Sequence, residues 1–123
     1  MSSTPVTWFE IGSDRPDEAQ RFYADLFGWT FEEQGGPGGS YRQTAAGGER
    51  GIGGAIRGTD SAADNYAVFY AQVTDVADTC RRAESAGGTV LASPVTTPSG
   101  LTHARLRDPS GNLLGVFTPP AGG

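Results

Sequence analysis

The apolar positions of this chain change period in a fixed order, and that order occurs twice. Val6-Thr7-Trp8-Phe9-Glu10-Ile11 alternates and is rich in β-forming side chains, so residues 5 to 12 read as a strand. The period then shifts. Ala19, Phe22, Tyr23, Leu26 and Phe27 fall at i, i+3, i+4, i+7 and i+8, one apolar stripe of a helix. Asp14-Arg15-Pro16-Asp17-Glu18 starts that helix, with Asp14 as the capping side chain, an early proline and acidic residues in the first turn. Gly28 stops it. Short strands at 29–33, 41–45 and about 51–57 follow, separated by glycine-rich turns. After a polar, aperiodic linker at 59–65 the order returns: a strand at 66–73, then a helix capped by Asp75 with a thinner stripe of Val76, Ala77, Cys80 and Ala83. Gly87 ends this helix, and strands at 89–92, 102–107 and 113–118 complete the repeat. Asp108-Pro109-Ser110-Gly111 makes the last hairpin turn, with proline at its second position and glycine at its fourth.

βαβββ written twice belongs to the α+β class. The 123 residues therefore read as one domain built of a module at 5–58, the linker at 59–65 and a module at 66–118. Self-similarity on this scale means two like units packed together, with a pocket as the natural functional site.

Charge narrows the partners. The net charge is −5 and all nine basic residues are arginine. An acidic, lysine-free surface argues against nucleic acid, because phosphate binding needs clustered cations. No apolar run approaches the ~20 residues of a membrane span. The start, Met1-Ser2-Ser3-Thr4-Pro5, has neither the basic region nor the hydrophobic core of a secretory signal. A single cysteine, Cys80, makes no intrachain disulfide, which fits a cytoplasmic protein, and its place on the second helix reads as a buried structural thiol. The arginine-only, alanine- and glycine-heavy composition points to a GC-rich bacterial genome, a setting in which antibiotic chemistry is a neighbour.

The order of elements, with Phe22-Tyr23 in mid-helix, Gly28-Trp29 after it and a closing Asp108-Pro109-x-Gly111-Asn112, resembles the vicinal-oxygen-chelate superfamily. That superfamily includes glyoxalase I, bleomycin- and fosfomycin-resistance proteins and extradiol dioxygenases. The resemblance spans roughly residues 5 to 118. It implies two curled, cup-shaped antiparallel sheets with helices packed outside, a largely enclosed cavity and a homodimer. Metal-binding members carry His, Gln or Glu on four strands. The matching positions here are Val6, Gly54 (Ala55 if the register slips by one), Val68 and Gly115, none of which can donate a lone pair. A divalent ion needs three or four N, O or S donors, so no metal and no cofactor are expected.

Strand side chains alternate faces, so residues sharing parity with those four positions should line the cavity. Parity selects Trp8 and Glu10, Tyr70 and Gln72, and Leu113 and Phe117. The family's inward positions on the seventh strand match His103 and Arg105, and Tyr41 and Gln43 are additions from the third. Arg57 joins only under the slipped register. Aromatic walls with a few polar groups are the usual constitution of a small-molecule site, and glycine in place of ligating side chains should leave room.

Three functions fit this set. The leading one is a metal-independent binder of the bleomycin-resistance type, sequestering an aromatic or amphipathic compound. The second is a metal-independent enzyme, a cyclase, isomerase or hydrolase on a natural product, with His103 as acid or base, Arg105 stabilising an oxyanion and Glu10 as partner. The third is an interaction domain whose cup is filled by its own side chains. No Gly-x-Ser-x-Gly elbow supports covalent catalysis.

Overall fold

The computed structural model describes residues 3–34, 41–46 and 48–120. The turn expected at Gly35 to Gly39 and the last residues of the C-terminal tail lie outside the described residues. In chain order the elements are β1 (Val6–Ser13), α1 (Pro16–Phe27), β2 (Glu32–Gln34), β3 (Tyr41–Thr44), β4 (Gly53–Gly58), β5 (Tyr66–Gln72), α2 (Val76–Ser85), β6 (Thr89–Thr96), β7 (Thr102–Arg107) and β8 (Leu113–Thr118). This is the α+β, twice-βαβββ order that the periodicity predicts. By contact the chain forms two compact units, Trp8–Val68 and Met1–Thr7 with Phe69–Gly123.

In the Trp8–Val68 unit the strands lie in the order β2-β3-β4-β1. The pairs β2–β3 and β3–β4 are antiparallel, whereas β1 and β4 are parallel. The other unit repeats this with β5-β8-β7-β6, where β5 and β8 are the parallel pair. The sheets are therefore mixed, not purely antiparallel as expected. The cause is topological: a helix between the first and second strands returns the chain in its original direction, and two hairpins then leave the fourth strand parallel to the first.

α1 carries Pro16 in its first turn and stops at Gly28, whose φ of 74° is the left-handed conformation that glycine adopts without a Cβ penalty. Its start differs from expectation. Arg15 occupies the cap position with no side-chain hydrogen bond. Asp14 instead bonds reciprocally with Asn65: its N–H donates to Asn65 Oδ1, and its own Oδ1 accepts from Asn65 Nδ2, both at 2.9 Å. The predicted apolar stripe is also only half used. Tyr23 stacks on Trp29, which in turn meets Phe9, but Phe22, Leu26 and Phe27 remain 57, 57 and 56% exposed. From the sheet, Arg42 reaches α1 with a buried side chain, 2.7 Å from Asp17 and donating to Gln20 Oε1 at 3.2 Å.

α2 conforms more closely. Asp75 caps it, accepting from the Asp78 N–H at 3.0 Å. Val76 and Cys80 pack with Ala104, Leu106 and Val116 into a buried core, edged by Ala83, Val90 and Leu114. Each fully buried valine or leucine among them contributes about 1.5–3 kcal/mol when taken out of water. Ala77, counted in the stripe, faces solvent. The Cys80 thiol is pushed up first by burial and then by Glu84, against the pull of Arg81, as befits a structural thiol. Among the described residues no helix is long and apolar enough to cross a membrane.

Candidate functional site

In each unit the helix covers one sheet face, and the residues selected from sequence lie on the opposite one. Register shows how. In the Phe69–Gly123 unit, Tyr70 pairs with Gly115, Gln72 with Phe117, Arg105 with Gly115 and His103 with Phe117. Paired residues project to the same side, so Tyr70, Gln72, His103, Arg105, Leu113 and Phe117 share the face opposite α2. Tyr70 is 6% exposed, its hydroxyl accepting from Arg105 Nε at 3.1 Å and its ring meeting Phe117 edge-on with centroids 6.3 Å apart. Gln72 is held at its amide oxygen by the Thr7 hydroxyl, 3.1 Å away. His103 is half-buried, and its imidazole forms no hydrogen bond with another described residue.

In the Trp8–Val68 unit, Glu10 pairs with Ala55 and Gly12 with Arg57, while Tyr41 pairs with Arg57 and Gln43 with Ala55. The slipped register is thus the actual one. Ala55, not Gly54, shares a face with Glu10, and Arg57 joins it. Gly54 pairs with Phe9 and faces the helix side. Glu10 is 6% exposed. Its Oε1 accepts from the Tyr66 hydroxyl at 2.5 Å, and that hydroxyl accepts in turn from Arg57 Nη1 at 3.4 Å. Trp8 is half-buried beside Gly53, and Tyr41 is half-buried on the same face.

Tyr66 was not among the residues selected from sequence. It has the parity of Val68, Tyr70 and Gln72, and extending that count one step toward the start of β5 would have found it.

The glycines do not leave the expected room. A Cβ on Gly115 would lie 2.3 Å from Cε1 of Tyr70, and one on Gly54 would lie 2.2 Å from Cε1 of Phe9. Aromatic rings from neighbouring strands already occupy both spaces. The family's metal does not fit the residues present. Ala55 and Gly115 carry no donor, the Gly115 position is covered by the Tyr70 ring, and the described residues contain no cluster of three His, Cys, Asp or Glu side chains.

Residues 6–116 match the family model of the Glyoxalase/Bleomycin resistance protein/Dioxygenase superfamily. The chain belongs to that superfamily. It is 31% identical over 114 residues to CFP32 of Mycobacterium tuberculosis and of Mycobacterium bovis, a protein provisionally named a glyoxylase. That match covers 93% of this chain but 44% of the relative, so the chain spans less than half the length of those proteins. Among solved structures, methylmalonyl-CoA epimerase from Mycobacterium tuberculosis superposes with a TM-score of 0.67 at 16% identity, covering 97% of this chain and 92% of that one. The Mn(II)-bound glyoxalase from Novosphingobium aromaticivorans superposes with a TM-score of 0.62 at 25% identity, covering 94% of this chain and 38% of that one. The epimerase likeness is one of fold.

Proposed function

We infer that this superfamily member is a metal-independent small-molecule-binding protein, taking an aromatic or amphipathic compound on its helix-free sheet faces and sequestering it. The observation that carries this reading is the Tyr70–Arg105–Phe117 arrangement: a buried phenol, a guanidinium and a ring edge, held together where a metal-binding relative would place a ligating side chain. Rigid aromatics supply contact area, and the guanidinium supplies orientation toward a carboxylate, phenolate or carbonyl. The same reading carries a cytoplasmic homodimer.

A second reading rests on His103. A half-buried imidazole with no hydrogen bond to another described residue, two positions from Arg105 on one strand face, is suited to moving a proton. In this reading the protein is an enzyme, a cyclase, isomerase or hydrolase, with Arg105 stabilising an oxyanion and Glu10 as a partner.

Native mass spectrometry after incubation with an organic extract of the host tests both. One unchanged compound retained per chain, at a mass with no added metal, supports sequestration and reports the oligomer. Release of a chemically altered compound overturns it in favour of the His103 reading. A stoichiometric metal overturns metal independence in either.

A further inference from the structure

Glu10 is a carboxylate removed from water on a sheet face, and a buried charge needs hydrogen bonds to hold it there. One such partner is Tyr66, whose hydroxyl donates to Oε1 while accepting from Arg57 Nη1. The phenol can reach Glu10 only because of a second residue. A Cβ on Gly12 would lie 2.1, 2.4 and 2.7 Å from Cε1, Cδ1 and Cζ of Tyr66, so any side chain there would push the ring away. Gly12 thus seats the ring, the ring carries the hydroxyl, and the hydroxyl fixes the carboxylate. All of these residues lie within the Trp8–Val68 unit.

We propose that Tyr66 is a positioning residue: seated over Gly12, it holds the Glu10 carboxylate as a fixed acceptor for an N–H or O–H of the bound molecule. The phenol's single proton is committed to Glu10, so Tyr66 is not itself a donor to the ligand. The ligand class is therefore an aromatic compound bearing an N–H or O–H, in preference to its alkylated counterpart. This rests on the binding reading above.

Indole and 1-methylindole form a matched pair differing in that one donor, and ligand-detected NMR titration of the full chain measures both affinities. The wild-type protein should prefer indole by about tenfold, the ratio expected for one hydrogen bond to a charged acceptor. Tyr66→Phe should reduce the preference to about twofold or less while leaving 1-methylindole affinity within about twofold, because only the acceptor's placement changes. Gly12→Ala, which retains the hydroxyl but unseats the ring, should do the same. In a Glu10→Gln background Tyr66→Phe should add nothing, since a residue acting through another loses its effect once that other is changed. A wild-type preference that survives both Tyr66→Phe and Gly12→Ala overturns the positioning role and leaves the binding reading standing. Failure of both indoles to bind the wild-type protein counts against the binding reading and removes this inference with it.

Discussion

Gly115→Ala tests directly whether a seated ring is held in place. The added methyl would sit 2.3, 2.4 and 2.8 Å from Cε1, Cδ1 and Cζ of Tyr70, each more than half an ångström inside ordinary carbon contact. The ring has little freedom to retreat, being 6% exposed, set edge-on to Phe117 and tied through its hydroxyl to Arg105 Nε. Overpacking a fixed site costs about 1–3 kcal/mol. If the ring tilts instead, the bond from the guanidinium lengthens or breaks, a loss of about 1.5–3 kcal/mol for a charged donor. The structure takes the cheaper of the two routes, so the expected loss is about 1–3 kcal/mol, read by urea denaturation, or roughly 4–15 °C in Tm for a domain of this size. Gly111→Ala is the matched control: φ there is 89° with no heavy atom near the absent Cβ, so it should cost only the left-handed strain of about 1–2 kcal/mol. A Tyr70→Leu background should shrink the Gly115→Ala penalty by at least about 1 kcal/mol, because the two side chains share one space. A Gly115→Ala loss below about 0.5 kcal/mol, or a penalty unchanged in the Tyr70→Leu background, would refute the seating of that ring.

Arg42 should behave asymmetrically. Its side chain is 8% exposed and its Nε has no hydrogen-bond partner, while Asp17 is 77% exposed and returns readily to water. Arg42→Met keeps the packing and removes a buried charge, so it should fall within about 1 kcal/mol of wild type or be stabilising, whereas Arg42→Ala should lose about 2–4 kcal/mol; urea midpoints separate the two. Asp108 closes the β7–β8 turn, and its carboxyl is held below the usual carboxylate range chiefly by the Asn112 backbone N–H and then by the Asn112 amide. A lowered folded pKa means that its contribution is complete above the unfolded value near about pH 4 and is lost as pH falls through the folded one; Asp108→Ala should flatten that acid limb of the stability profile, and an unchanged limb would count against the turn geometry. His103→Ala should leave Tm within about 2 °C, since no described hydrogen bond is lost, so any loss of turnover it causes reports chemistry and not unfolding.

The elements themselves were legible because each is written locally. Alternation at β1 and β5, the 3.6-residue stripes, Pro16 and Gly28 at the ends of α1, Asp75 at the start of α2 and the Asp108–Gly111 turn depend on neighbours in the chain, and β7 and β8 have the expected bounds. What local pattern misplaced depends on neighbours in space. Three of α1's five apolar positions stay more than half exposed, and the helix–sheet contact near its start is made instead by the buried Arg42 with Asp17 and Gln20. Strand β6 runs on to Thr96, past the expected end at Ala92, because its pairing with β7 shifts register between Val90 and Ala92 and again between Ala92 and Val95. Those irregularities let Pro94 sit in the strand.

The glycines carry the larger lesson for the site. Along one chain, a glycine at a position where relatives hold a ligating side chain reads as vacated space. In a sheet, each strand residue has a cross-strand neighbour on the same face, and a large ring on that neighbour leans into the gap. Phe9 covers Gly54, Tyr70 covers Gly115 and Tyr66 covers Gly12, so all three glycines are seats and none is a hole. Two of those rings, Tyr66 and Tyr70, end in hydroxyls that meet Arg57 with Glu10 and Arg105 respectively. Removing the side chain on one strand is therefore what lets a phenol on the next be placed and held. The identity of the pair, a tyrosine beside its glycine, is the feature to seek when reading other chains of this pattern: without the partner the glycine predicts room, and with it the glycine predicts a fixed polar anchor.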